Sequence, residues 1–437
     1  MSAPNRKLAL KWLREGIEAV RPHQLIRQHL RLAGEVLHIR DRQIFLKDYR
    51  TIRLAGAGKA SAAMGVCLEQ ILGERISDSL IITKYDHTPN DAGNLNIRES
   101  GHPVPDQNSL AAGEALLAFA EKSQPDDLVI NLISGGGSAL MEALPPGVSL
   151  ADLQQLSRAM LGAGIPIEAI NTVRKHLSRI KGGQLARAFA PARVISLMIS
   201  DVIGDPPDAI ASGPTVPDPG TFADALKLVA TLPPGSVADS VRRHLEAGAR
   251  GDLPETPKPG DPLFGHVENI ILGNNRLALE RMREVIAAAG FAVEVVTDVL
   301  EGEAREIGRH WAKTVAATRP GYGQVWLFGG ESTVTLTGNG KGGRNQELVL
   351  GALHAMSQIP QPFVLLSCGS DGGDGPTDAA GAIIDETSLT KSRRAGLDAA
   401  DYLARNDAYH FFDPIGGLIK TGPTGTNVMD LGMIFVP

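Results

Sequence analysis

The sequence reads as an α/β protein built from two compact units, and three observations carry that expectation. Short apolar runs recur along the chain, many ending in glycine and each followed by residues with helical spacing. The runs are apolar throughout rather than alternating, as in strands whose sheet is covered by helices on both faces. At 437 residues the chain exceeds a typical single domain.

Taken in order, the first 20 residues place Leu8, Leu10, Trp12, Leu13, Ile17 and Val20 at helical spacing among charges such as Arg6, Lys11 and Glu15. That pattern predicts an amphipathic helix, not a signal peptide. Strands are expected at Thr51–Ala57, Leu80–Thr83, Leu128–Ser134 and Val194–Ser200, then at Val267–Leu272, Ala292–Thr297, Val325–Phe328 and Pro362–Ser367. Strands alternating with helices imply right-handed crossover units. The proline- and glycine-rich stretch Gly248–Gly265 reads as a linker, which divides the chain into residues 1–250 and 266–437. Pro206–Pro219 is also irregular, but it follows a strand directly and reads as a functional loop.

Composition excludes several function classes. A net charge of −6 does not provide the basic face that nucleic acid requires. Two cysteines, Cys67 and Cys368, cannot build a secreted disulfide framework, so a cytoplasmic location is expected. No apolar run approaches a membrane span. Glycine is the anomaly: 49 residues, about 11% where roughly 7% is usual. Over half of them fall in short clusters, most of which follow an expected strand, where α/β proteins bind anions.

The first cluster runs from Gly56 through Gly58 and Lys59 into an alanine-rich helix. There, backbone N–H groups and the helix N-terminus favour an anion, and a lysine on the first turn makes sense when that anion is shared. The second places Gly135, Gly136 and Gly137 between Ser134 and Ser138, a further anion nest. In the third, Ile170, Val173, Leu177 and Ile180 form an apolar stripe, with Arg174, Ser178 and Lys181 on another face of the same expected helix. Such a cationic face suits a carboxylate or phosphate, or simply solvent. After the strand ending near Ser200 come Asp201, Asp205 and Asp208, fit either for Mg²⁺ or for turns.

The densest cluster lies in the C-terminal half. Gly338, Gly340 and Gly343 match the dinucleotide fingerprint in spacing. Lys341 and Arg344 beside them favour direct neutralisation of a phosphate. The next acid after the following strand, Asp371, comes 28 residues beyond Gly343, later than the roughly 20 of a ribose carboxylate. The segment therefore reads as an anion clamp. Asp371, Asp374 and Asp378 share a glycine-rich loop and offer hard oxygen ligands suited to Mg²⁺. The chain has no phosphate-loop lysine motif, no nucleophile elbow and no zinc helix. His102, in a proline-rich loop, reads as structural or as supporting a site residue rather than as a base. A last cluster, from Gly416 to Asn427, brings Lys420, Thr424 and Asn427 into consideration.

Taken together, Gly56–Lys59, Gly101–Asp106, Ser134–Ser138, Asn171–Gly183, Ser200–Pro214, Gly329–Glu331, Gly342–Glu347 and Ser370–Gly381 resemble the class II, or MOFRL-family, glycerate kinases, in family order across nearly the whole chain. The resemblance implies an N-terminal Rossmann-like domain with a parallel sheet carrying helices on both faces. It also implies a smaller C-terminal α/β domain with a MOFRL region at about 322–432 and an active site in the cleft between the two. It further implies phosphorylation of D-glycerate, generally to 2-phosphoglycerate, with ATP and Mg²⁺. Lys59 and Arg344 match the family's cleft lysine and arginine and are expected to be catalytic, with Asp201. Substrate or phosphate binding is expected of Gly58, Ser134, Gly135, Gly136, Gly137, Ser138, Arg174, Lys181, Gly330, Glu331, Lys341 and Asn345. Metal binding is expected of Asp371 and Asp374. Small-molecule substrates, no nucleic acid and no membrane complete the expectation, with a homodimer left open. The alternative is an NAD(P)H-dependent hydroxypyruvate reductase, supported by the formal fingerprint at Gly338–Gly343; a binding protein without catalysis is a more remote reading.

Overall fold

The computed structural model describes residues 2–318, 321, 323–356 and 362–437. Tyr322, where the sequence sets the start of the MOFRL region, lies outside the described residues. The chain forms two compact units: Leu25–Leu272, and the N-terminal residues through Gln24 together with Gly273–Pro437.

These bounds differ from the expected 1–250 and 266–437 at both ends. The stretch expected as a linker is built into the first unit. Asp218 N donates to Pro257 O at 2.8 Å, buried Thr256 donates to Asp218 Oδ2 at 2.9 Å, and Arg187 Nη2 reaches Glu255 O at 2.9 Å. The N-terminal helix, Ser2–Ala19, belongs to the other unit because its apolar face packs there. Trp12 meets Phe291 and Phe435 edge-on at 5.3 and 5.2 Å, and a Cβ at Gly16 would stand 2.6 Å from Met282 Cγ.

The first unit opens with an antiparallel meander of β1 (Leu30–Ala33), β2 (Val36–Ile39) and β3 (Arg42–Phe45). The sequence did not reveal it, since four-residue strands give too short a pattern to separate from a loop. Then come β4 (Thr51–Ala57), β5 (Ile76–Lys84), β6 (Ile97–Ser100), β7 (Asp127–Ile133), β8 (Arg193–Ile199) and β9 (Val267–Gly273). They lie in the order β6-β5-β4-β7-β8-β9, and β6, β5, β4, β7 and β8 pair in parallel. Every residue of β7 is buried, as a central strand covered on both faces requires. The chain winds outward in one direction from β4 and in the other from β7. The gap between their C-terminal ends is therefore the topological switch point, where open α/β sheets bind ligands.

The second unit holds β10 (Ala292–Leu300), β11 (Gln324–Gly330), β12 (Val364–Gly369), β13 (Gly381–Asp385), β14 (Leu418–Ile419) and β15 (Asp430–Val436). Their order is β10-β11-β15-β12-β13-β14, and among the described residues of this sheet only β10 and β11 pair in parallel. The C-terminal strand enters antiparallel between β11 and β12, so this sheet is mixed rather than wholly built from crossovers. No helix of the described residues is long and apolar enough to cross a membrane.

Candidate functional site

In the first unit, three adjacent strand ends bring the expected residues together. β4 runs into Gly58 and Lys59, β7 into Ser134–Ser138, and Asp201 stands just beyond β8. The two turns are stitched to each other. Lys59 N donates to Gly135 O at 2.9 Å, Ala60 N to Ser134 Oγ at 2.9 Å, and Ser134 N to Ala57 O at 3.3 Å. Glycine at position 58 is required twice over. Its φ is +151°, and a Cβ there would lie 2.1 Å from Ser134 Oγ. At Gly136, φ +84°, a Cβ would crowd His102 Cδ2 at 2.9 Å and Lys59 Cγ at 3.4 Å. Lys59 precedes the helix Ser61–Leu72 instead of sitting on its first turn, so its ammonium is set by the strand-end turn.

A third wall comes from the loop after β8. Ala211 and Ser212, both buried, hold left-handed φ values of +51° and +61°. Such conformations cost about 1–3 kcal/mol each and persist where surrounding contacts enforce them. Here the enforcing contacts are visible: Gly182 N donates to Ser212 O at 3.0 Å, Gly183 N to Gly213 O at 2.8 Å, and the Ser138 and Ser212 hydroxyls meet at 2.9 Å. Asp208 is tied to buried Lys175 at 3.3 Å, and Lys175 also faces Asp218 at 3.5 Å, which makes Asp208 part of the loop's anchorage.

Arg174, Ser178 and Lys181 do not share a helix face, because the helix Ile167–His176 stops short of the latter two. Lys181 is wholly enclosed and paired with Glu142, itself 1% exposed, so it presents no surface to a substrate. Burial pushes its pKa down to about 8; Glu142 opposes that shift and Arg174 adds to it. Arg174, by contrast, reaches the turn itself, with Nη2 at 3.5 Å from Ser138 O.

In the second unit, Arg344 opens the helix Arg344–Ala355 and is held by two carboxylates. Its Nε and Nη2 take both oxygens of Asp430 at 2.6 and 3.0 Å, and Nη1 reaches Glu331 at 2.6 Å. Burial works to lower its pKa, but Asp430, Glu331 and Asp374 outweigh it and hold the guanidinium above its ordinary range.

Asp374 does not fit a metal ligand. Its Oδ1 accepts Asn345 N at 3.0 Å and Asn345 Nδ2 at 3.2 Å, and its Oδ2 accepts Gln346 N and Nε2, each at 2.9 Å. It is 3% exposed, and burial lifts its pKa to about 6 in spite of those donors. It anchors the start of the helix. Asn345 is likewise enclosed, bonded to Asp374, Asp430 and Ser367, and offers nothing to a substrate. Asp371 is half-buried, and its Oδ1 accepts Gly373 N at 2.9 Å. Among the described residues no three His, Cys, Asp or Glu side chains are grouped to hold a metal ion.

The dinucleotide spacing at Gly338, Gly340 and Gly343 has another cause. Residues 331–343 separate β11 from the helix, so the tight strand-to-helix turn of a dinucleotide site does not exist here. A Cβ at Gly338 or Gly340 would lie 2.5 Å from Arg405 backbone atoms, and one at Gly343 would lie 2.3 Å from Asp374 Cγ. These glycines serve close packing of chain on chain. Gly330, φ +139°, likewise lets β11 approach Leu300, and Glu331 serves Arg344. Lys341 places its ammonium 4.2 Å above the Tyr409 ring. Lys420 pairs with Asp378 at 3.0 Å, and Thr424 bonds Ser370 O at 2.6 Å, so the last glycine cluster braces the acidic loop. Asn427 Oδ1 accepts Met429 N at 3.3 Å.

Sequence reasoning missed Glu142, Ser212, Asp430 and Asn275. Asp430 begins an unforeseen strand, and Asn275 ties the second unit's turns together by donating to Val428 O and Asp430 O at 2.8 and 2.9 Å. The paired Asn274 and Asn275 directly after an apolar run were the available signal for a helix cap.

Comparison with known proteins adds to this geometry. One family model, described as a domain of unknown function (DUF4147), matches residues 8–246, and the MOFRL family matches residues 324–430. A D-glycerate 2-kinase of Thermotoga maritima is 39% identical over 431 residues, 98% of this chain and 97% of that protein. An Agrobacterium vitis protein provisionally named as a hydroxypyruvate reductase is 41% identical over 390 residues, 88% of this chain and 86% of its own. The crystal structure of a glycerate kinase from Thermotoga maritima matches with a TM-score of 0.85 and 36% identity, covering 100% of each chain.

Proposed function

Since the chain belongs to the class II, MOFRL-type glycerate kinase family, we propose that it transfers the γ-phosphoryl group of ATP to D-glycerate and forms 2-phosphoglycerate. The observation that carries this reading is the placement of Lys59 and Gly135–Gly137 on either side of the switch point between β4 and β7. Phosphoryl transfer asks for positioning and for charge stabilisation rather than covalent chemistry. The Lys59 ammonium and the backbone of the glycine turn meet the equatorial oxygens of the transferring group. Asp201, at the next strand end, receives the proton of the attacking hydroxyl.

A bound Mg²⁺ would neutralise part of the triphosphate charge. Asp371, half-buried on the acidic loop, is the carboxylate that would meet an ion carried in by the triphosphate. The reductase reading loses its structural support, because the fingerprint glycines are occupied by Arg405 and Asp374.

The test is direct. Incubation with D-glycerate, ATP and Mg²⁺ should release ADP, and phosphorus NMR should identify the 2-phospho isomer. Oxidation of NADH by hydroxypyruvate, without ADP release from glycerate, would overturn the proposal.

A further inference from the structure

We propose that Arg174 recognises the carboxylate of the hydroxy-acid substrate, with Glu142 and Lys181 as the pair that positions it; the inference rests on the kinase reading above. Arg174 lies on the last turn of the helix Ile167–His176, beside the glycine turn that follows β7. Its Nε is buried and has no hydrogen-bond partner, and the contact of its Nη2 with Ser138 O is long at 3.5 Å. Among the described residues no carboxylate forms an ion pair with it. A half-buried guanidinium whose enclosed Nε lacks a partner is costly unless another acceptor completes it. The planar fork of arginine matches a carboxylate bidentately, which a lysine does not.

The residues behind it explain why it stands open. Glu142, the nearby acid, is taken up through Oε2 by the ammonium of Lys181, and its Oε1 is buried without a partner. The carboxylate therefore lends Arg174 a favourable field without closing its fork. Lys59 Cγ would stand 3.4 Å from a Cβ at Gly136, in the same turn whose Ser138 carbonyl Arg174 touches. The turn thus has a cation for the phosphoryl group and another for the acid end of the acceptor. A phosphate is the competing occupant of Arg174, and kinetics separate the two.

Steady-state kinetics of Arg174→Ala and Arg174→Lys, with D-glycerate and ATP varied separately, test the assignment. In Arg174→Ala the KM for D-glycerate should rise about 100-fold with the KM for ATP unchanged, and Arg174→Lys should recover only part. Discrimination between D-glycerate and glycerol, which keeps the hydroxyls and lacks the carboxylate, should fall by a similar factor. D-glycerate alone should raise the melting temperature of the wild type and not of Arg174→Ala. An unchanged KM for glycerate, an equal rise in the KM for ATP, or retained discrimination against glycerol would overturn the assignment. Glu142→Gln and Lys181→Met should raise the KM for glycerate at constant kcat. A drop in melting temperature with both KM values unchanged would reduce them to a structural role. Failure of the kinase reading is distinguishable: the wild type would then make no ADP from glycerate, while the ligand-only melting shift would still report Arg174.

Discussion

Arg174 and Arg344 are two arginines beside glycine-rich turns, one in each unit, and they stand in opposite electrostatic states. Arg344 has a carboxylate on each side, and its surroundings favour its charge. Arg174 has a neighbouring carboxylate that lysine has already claimed, and burial makes its surroundings disfavour its charge on balance. Equal residue type and equal local sequence texture therefore conceal different tasks. A satisfied guanidinium holds structure together, whereas an unsatisfied one waits for a ligand. The distinction depends on what lies within a few ångströms, which residue spacing does not encode.

The largest expected effect tests the cation that both readings of the turn depend on. Lys59→Ala should lower kcat by about 10²–10³-fold with little change in melting temperature, as expected of a group acting on the transition-state charge. Loss of stability equal to the loss of activity would show Lys59 to be a structural strut. Next comes the contrast itself. Arg344→Ala should destabilise the protein by about 2 kcal/mol, between the values for exposed and buried pairs, because Asp430 and Glu331 lose their partner. Arg174→Ala should stay within about 0.5 kcal/mol of the wild type in denaturant unfolding, since it breaks no formed ion pair. If the two variants unfold alike, the contrast is void.

A subtler effect concerns pH. The folded-state pKa of Lys181, about 8, lies below its ordinary 10.5, so the folded chain binds fewer protons than the unfolded chain between those values. Stability should accordingly rise with pH across that window on account of this group, and Lys181→Met should flatten the rise. Asp374 runs the other way. Its pKa is raised from 3.8 to about 6, so its protonation contributes stability below 3.8 that is lost as pH climbs to about 6. Unfolding measured from pH 4 to 7 should show that loss in the wild type and not in Asp374→Asn. The smallest expected effect is Lys341→Ala, where an ammonium over the half-buried Tyr409 ring is worth about 0.5–1 kcal/mol.

Much of this was legible from residues alone. Uniformly apolar runs gave β4, β7, β8 and their neighbours because a doubly covered sheet forces hydrophobicity on both faces of each strand. The glycines at 58 and 136 were identifiable as special because backbone at positive φ in close contact excludes a side chain. What sequence could not supply was partnership. Gly338, Gly340 and Gly343 carry a ligand-binding spacing for a packing reason. Asp374 and Asn345 look like site residues and are consumed in starting a helix. Lys181 stands six residues from Lys175 and two from Arg179 in a cation-rich stretch, yet it is sealed inside. Strand order also lay beyond the sequence, and it decided that β4 and β7 are neighbours across a change in winding direction. The sequence by itself determined which backbone could bend and which side chains carried charge, since those are properties of single residues. Only the tertiary structure decided which charges were spent on each other and which were left for a substrate, because pairing in a low-dielectric interior depends on distances that the chain sets only when folded.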